Sequence, residues 1–291
     1  AGSLRLPAAA CGIMSMKPTW GLVSRAGAMP LSATLDAVGP IARDARDLAL
    51  MLKIIAGHDA RDAGTSLRPV PDYPTLAGRP IEGVRIGIDE ALISKADASV
   101  QDRLEQALHI LEQAGAKKVD VTIDNWETLD HLAQLVQLSE AAAAHSPFLR
   151  GRADDYGPQV QARVEYGHFV PAHDYLVAMR ARGQMLRKIL DEVYSKADVV
   201  MLPNFAGPIP TIEETDVAGG QHLMVVLAKI MMYSRPLNYR MLPAVTLPYP
   251  EFSGMLPNGF QLMGRPFGEG GLLALARAYQ EAHPIHLAPI V

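Results

Sequence analysis

A serine that follows glycine near the start of the chain, Ser3 after Gly2, is the residue whose setting first suggests nucleophilic chemistry. It sits in a run of small residues, continued by Leu4-Arg5-Leu6-Pro7-Ala8-Ala9, where backbone can approach a ligand closely. Taken alone, a serine beside glycine more commonly satisfies a turn or a cap than attacks a carbonyl. Arg5 has two readings. It either binds a substrate carboxylate or the loop around Ser3, or it locks that loop to the core through an ion pair, and the second is the commoner use of such an arginine. Asp36 reads as a structural hydrogen-bond acceptor, and Cys11, set among alanines, as a packed small hydrophobe rather than a nucleophile. The nine histidines are scattered and define no Ser/His/Asp order.

These residues need elements to position them. The first forty residues are rich in Gly, Pro and small side chains and read as loops and short strands around a site. From Arg43, Leu48, Met51, Leu52 and Ile55 recur at helical spacing until Gly57, with Asp44 and Asp47 suited to the first turn. A proline-bearing stretch, 60–83, reads as a surface linker. Strand, helix and strand then follow over 84–88, 100–114 and 117–123, the order of an α/β fold with a crossover connection. Residues 126–145 and 175–194 pattern as helices around a polar segment, and 126–175 is expected to form a helical insertion or lid. Short apolar strands at 199–202, 244–247 and 260–263 and a helix over 271–282 close the chain.

Composition narrows the function. Of 291 residues, 49% are hydrophobic and 20% charged, which suits a globular protein with one large core and excludes disorder and collagen-like repeats. A net charge of -4 with no basic run or aromatic platform makes a nucleic acid an unexpected partner. One cysteine allows no intrachain disulfide, and no His/Cys cluster has metal-ligand spacing, so the chain reads as cytoplasmic and metal-free. No apolar stretch reaches membrane-spanning length. The sequence opens on Ala1-Gly2-Ser3 without an initiator Met or a signal peptide, and an N-terminal portion is expected to precede it.

The string AGSLRLPAAACGIMSMKPTWGLVSRAGAMPLSATLDAVGPIAR resembles, along its length, the amidase signature pattern GGSIRxPAxxCGxxGxKPTxGxVSxxGxxPxxxSLDxxGPxAR. Later stretches resemble the same family: Gly57-His58-Asp59, Ala197-Asp198-Val199 through Pro203, Leu237-Asn238, Leu242-Pro243-Ala244-Val245, and Pro257-Asn258-Gly259-Phe260-Gln261 through Pro266. The chain departs from the pattern at Ala1 and Ser15, where glycine is usual, at Asn204, where threonine is frequent, and at Met241, which replaces a glycine.

The resemblance implies a single α/β domain, 1–291, N-terminally incomplete, with a mixed, mostly parallel twisted sheet flanked by helices. It places the family's nucleophile at Ser3 and the backbone N–H groups of Ala1, Gly2 and Ser3 in the oxyanion-hole loop. In the family the serine is activated by a lysine acting through a second serine. Both precede the nucleophile, so the 291 residues are expected to lack the full triad and to be inert by themselves. Lys17, in Met16-Lys17-Pro18-Thr19, falls on a lysine that reads as structural. The implied activity is hydrolysis of a carboxamide through an acyl-enzyme, on a small-molecule amide, with no metal or organic cofactor implied and a homodimer left open. A glutaminase subunit of a tRNA-dependent amidotransferase, or a non-catalytic binding protein of the same fold, are the alternatives.

Overall fold

The computed structural model describes residues 2–216, 220–250 and 256–284, with 220–224 described as backbone. Helices α1 (Arg5–Ala10), α2 (Ala45–Ile55), α3 (Tyr73–Ala77), α4 (Glu90–Ile93), α5 (Ala98–Gln113) and α6 (Trp126–Arg152) belong to the first half. The second half adds α7 (Pro158–Glu165), α8 (Ala172–Glu192), α9 (Ile212–Thr215), α10 (Gly220–Met231), α11 (Arg235–Tyr239) and α12 (Glu269–Ala282). Seven strands, β1 (Met14–Lys17), β2 (Ile41–Ala42), β3 (Arg85–Ile88), β4 (Lys117–Asp120), β5 (Val199–Pro203), β6 (Ala244–Pro248) and β7 (Gly259–Gly264), form one sheet. None of the helices among the described residues is long and apolar enough to cross a membrane.

The sheet order is β2-β1-β6-β7-β5-β3-β4, and its strand directions correct the sequence expectation. The sheet is mixed and flanked by helices, but four of its six pairings are antiparallel, and parallel pairing is confined to β5–β3 and β3–β4. For β3–β4 and β6–β7, link length accounts for the direction. Parallel strands need a crossover of a dozen or more residues, usually helical, and α5 supplies one between β3 and β4. The ten-residue 249–258 link is too short for that and returns β7 beside β6 in the opposite direction.

Side-chain alternation sorts the layers. Phe260 and Gln261 are neighbours on β7 and therefore point to opposite faces. Phe260 meets Tyr279 of α12 edge-on at 5.1 Å between ring centroids, which puts α12 on one face with α2, α3 and α5 packed beside it. The opposite face carries Ser15, Thr246 and Gln261 in register across β1, β6 and β7. Helix α1 lies over these three strands, α11 adjoins it, and α6 packs on α11 with α8 outside.

Local signals account for several elements. Asp44 caps α2 by accepting from the Arg46 N–H, and Leu48, Ala49 and Leu52 bury its inner face. Helix α6 runs beyond the expected 145 through Pro147 to Arg152. The stretch 126–175 is helical along most of its length: α6, α7 and the start of α8 occupy it. Helix α1 falls where the sequence suggested only loops and short strands. Pro7 is tolerated there because the first-turn N–H groups of a helix have no partner within it, so a proline costs no bond.

Candidate active site

Ser3 is exposed at the turn that leads into α1. The turn is closed by Gly2, whose carbonyl accepts from the N–H groups of Arg5 and Leu6, each at 2.9 Å. Gly2 has φ +114°, a backbone region open to glycine, and a Cβ there would lie 2.9 Å from Leu6 Cδ1 and 3.1 Å from Ser234 Cβ. Both sterics and dihedral therefore fix glycine before the serine. Ala1 lies outside the described residues.

Beneath Ser3 the floor is polar, buried and tightly bonded. Arg5 has no exposed surface, and its guanidinium donates to Gln261 Oε1 of β7 at 2.5 Å, Asn238 Oδ1 of α11 at 2.6 Å and the Ser234 carbonyl at 2.9 Å. Gln261 passes the bonding on through its amide nitrogen to the carbonyls of Tyr233 and Pro203, and Asn238 donates to the Leu35 carbonyl. The charge is thus held by neutral acceptors, not by the ion pair that the sequence suggested. Burial lowers the Arg5 pKa to about 9.

Ser3 opens into a cavity of about 450 Å³ that Gly2, Leu4, Arg5, Lys17 and Asn238 also line. Lys17 ends β1 on the same face as Ser15, 2% exposed, with Nζ donating to the Pro18 carbonyl at 2.8 Å. Burial first, and the nearby Arg5 charge second, lower its pKa to about 7, against an opposing pull from Glu269. Glu269, at the start of α12, is itself anchored by the Thr19 N–H and hydroxyl. No histidine lines the cavity among the described residues.

The outer wall is the segment 25–38, and two sets of contacts hold it. On one side Arg25 forks onto Asp62, with Nη2–Oδ1 at 2.8 Å and Nε–Oδ2 at 3.0 Å, and also donates to the Ala33 carbonyl. The Asp62 carboxyl sits well below the usual carboxylate range because of those Arg25 bonds. On the other side α6 grips the segment. Glu140 accepts from the Ser32 hydroxyl at 2.6 Å and from the Thr34 hydroxyl and N–H at 2.8 and 3.0 Å. His145 meets the Pro30 carbonyl at 3.1 Å, and Arg182 of α8 donates to the Thr34 hydroxyl. Asp36 receives the N–H groups of Leu31 and Ser32, which makes it a structural acceptor.

A model of the Amidase family matches residues 1–273. The chain belongs to the Amidase family. It is 32% identical over 299 residues to a Glutamyl-tRNA(Gln) amidotransferase subunit of Akkermansia muciniphila, covering 94% of this chain and 63% of that protein. The AmiD protein of Mycobacterium tuberculosis, named as an amidase, is 33% identical over 286 residues, covering 98% of this chain and 59% of that protein. The solved structure of a Glutamyl-tRNA(Gln) amidotransferase subunit from Thermotoga maritima matches with a TM-score of 0.79 at 30% identity, covering 97% of this chain and 61% of that one. The chain thus spans about three fifths of the length of the curated relatives it matches.

Within this amidase fold, Gly2, Ser3, Arg5 and Lys17 come together around one cavity. Cys11 is not packed as expected. It is exposed at the C-cap of α1, past the buried positions Arg5, Leu6, Ala8 and Ala9. Sequence reading gave no role to Asn238 and Gln261, although both lie inside motif stretches, and missed Glu140 and His145 altogether. Their wall partners are more than a hundred positions away, beyond the reach of any local pattern.

Proposed function

We propose that the chain carries the nucleophile of a carboxamide hydrolase, with Ser3 attacking the amide carbonyl. The observation that carries this is the open position of Ser3, on a glycine-fixed turn over a rigid, bonded floor, at the mouth of a cavity in an amidase fold. Ser3 Oγ bonds to the carbonyl carbon as its proton passes to a base, and the carbonyl oxygen takes the negative charge. The N–H groups of Gly2 and Ser3, and of Ala1 beside them, are assigned to that oxygen. As the tetrahedral species collapses, the C–N bond breaks, the amine leaves with the proton, and an ester to Ser3 remains. Water attacks the ester, gives its proton to the base, and the acid leaves with Ser3 restored. Arg5 is placed as the support of this loop, because its two terminal nitrogens are bonded to Gln261, Asn238 and the Ser234 carbonyl, while its buried Nε has no partner.

The base is assigned to the lysine and second serine that the family resemblance puts ahead of the nucleophile, with Lys17 as the lysine to test inside the sequence. The 126–175 stretch is assigned as the support of the cavity's outer wall, through Glu140 and His145. The experiment is labelling of Ser3 by a fluorophosphonate in the full-length gene product, alongside amide hydrolysis by wild type and Ser3→Ala. Loss of both labelling and hydrolysis in the variant is expected. Undiminished hydrolysis by Ser3→Ala removes the proposal, and a wild type that neither labels nor hydrolyses leaves the fold as a binding module.

A second reading, the glutaminase component of an amidotransferase, is favoured by the relatives that carry that name. Ammonia release from glutamine, measured with and without partner subunits, separates it from a free-standing amidase.

A further inference from the structure

The charges around the cavity are divided unequally, and the division bears on the substrate of the proposed Ser3 reaction, on which this inference rests. On the wall side the cations are already paired. Arg25 spends its donors on Asp62 and the Ala33 carbonyl, and Asp36 receives two backbone N–H groups on one carboxylate oxygen, Oδ2. Arg61 forks onto Asp59 at 3.0 and 2.9 Å. What remains on this side is apolar: Met29, Pro30, Leu31 and Val38, with Met29 64% exposed among side chains that line the cavity. The other two cations of the cavity, Arg5 and Lys17, belong to the floor. Both are buried, Arg5 with its two terminal nitrogens bonded to the sheet, to α11 and to the carbonyl before it, and Lys17 with Nζ on the Pro18 carbonyl. A carboxylate on the substrate would therefore lose its water against the wall, meet cations there that are already paired with Asp62 and Asp59, and share the lining with the Asp36 carboxylate, a cost that burial of an unpaired charge carries. An alkyl or aryl group would cover exposed apolar surface instead.

We propose that the substrate is an amide whose body beyond the scissile carbonyl is apolar and carries no carboxylate, lodged against Met29, Pro30, Leu31 and Val38. Glutamine, which carries a carboxylate, is then a poor substrate. The test is kcat/KM of the full-length protein on acetamide, butanamide and hexanamide against succinamate and glutamine. A rise of about tenfold or more from acetamide to hexanamide is expected, the scale of added methylenes in an apolar pocket, with both charged amides at least about tenfold below hexanamide. Met29→Lys, at an exposed position that leaves folding intact, is expected to move the hexanamide-to-succinamate ratio about tenfold toward the charged amide by adding one attractive charge. Turnover of glutamine or succinamate equal to that of hexanamide overturns the inference while leaving Ser3 chemistry standing. A ratio that Met29→Lys does not move also overturns it, and absence of hydrolysis on every amide removes the inference together with the Ser3 reading.

Discussion

The floor and the wall of the cavity are built by different means. The floor is sheet and short helix: Arg5 has no exposure and bonds at once to β7, to α11 and to the carbonyl that precedes α11. The wall is a segment without helix or strand over 25–38, fixed by side chains that reach it from outside, Asp62 on one flank and Glu140, His145 and Arg182 on the other. The difference teaches where each property resides. A floor made of packed, mutually bonded groups has one arrangement and is suited to holding Ser3 in register. A wall held by a few exchangeable side chains can be altered without unfolding the protein, and that suits substrate choice.

Breaking the floor is expected to cost most. Arg5→Met leaves Gln261, Asn238 and the Ser234 carbonyl without their donor in a buried site, a loss on the order of 3–5 kcal/mol that chemical denaturation would read, together with loss of Ser3 labelling. Retained labelling in a folded Arg5→Met would separate Ser3 from the floor.

Lys17 sharpens the same region through pH. Its folded pKa, about 7, lies below the ordinary lysine value, so the unfolded chain binds the proton more tightly. Stability from this group therefore rises as pH increases between about 7 and 10, at roughly 1.4 kcal/mol per pH unit, and the penalty is full and constant below about 7. Lys17→Met removes the titration. Melting of wild type and variant across this range should show wild type gaining on the variant as pH rises, and parallel curves would contradict the burial of a charged lysine.

The wall is expected to answer differently. Glu140→Gln keeps one acceptor but loses the full set of bonds to Ser32 and Thr34. It should cost about 1 kcal/mol and raise KM for an amide by several-fold, while the rate of Ser3 labelling by a small fluorophosphonate stays within about twofold. Equal losses in labelling and KM would merge wall and floor into one unit. The smallest effect is at Met241, which adopts φ +61° where the family pattern has glycine. Met241→Gly should relieve about 1 kcal/mol of left-handed strain, less the entropy that glycine adds to the unfolded chain, and a raised Tm is the readout.

How much of this was legible depended on distance along the chain. The α2 helix and the β3–α5–β4 unit follow from spacing and caps within a dozen residues, and the cavity residues Gly2, Ser3, Arg5 and Lys17 all fall within the first seventeen. The mostly parallel sheet that the resemblance implies does not hold for β6 and β7, because strand patterns carry no direction and it is the ten-residue 249–258 link that turns the chain back. Arg5 was expected to find a carboxylate. It found Gln261 and Asn238, 256 and 233 positions away, and nothing in a sequence distinguishes a neutral acceptor at that range from a charged one. Glu140 was invisible for the same reason, since its role depends on α6 lying beside the 25–38 segment.

The central claim is that Ser3 is the nucleophile, and the most direct measurement is peptide mapping of the full-length protein after reaction with a fluorophosphonate. The account predicts a single adduct on the peptide that carries Ser3, abolished by Ser3→Ala together with amide hydrolysis. An adduct on another residue, or amide hydrolysis that survives Ser3→Ala, would contradict it.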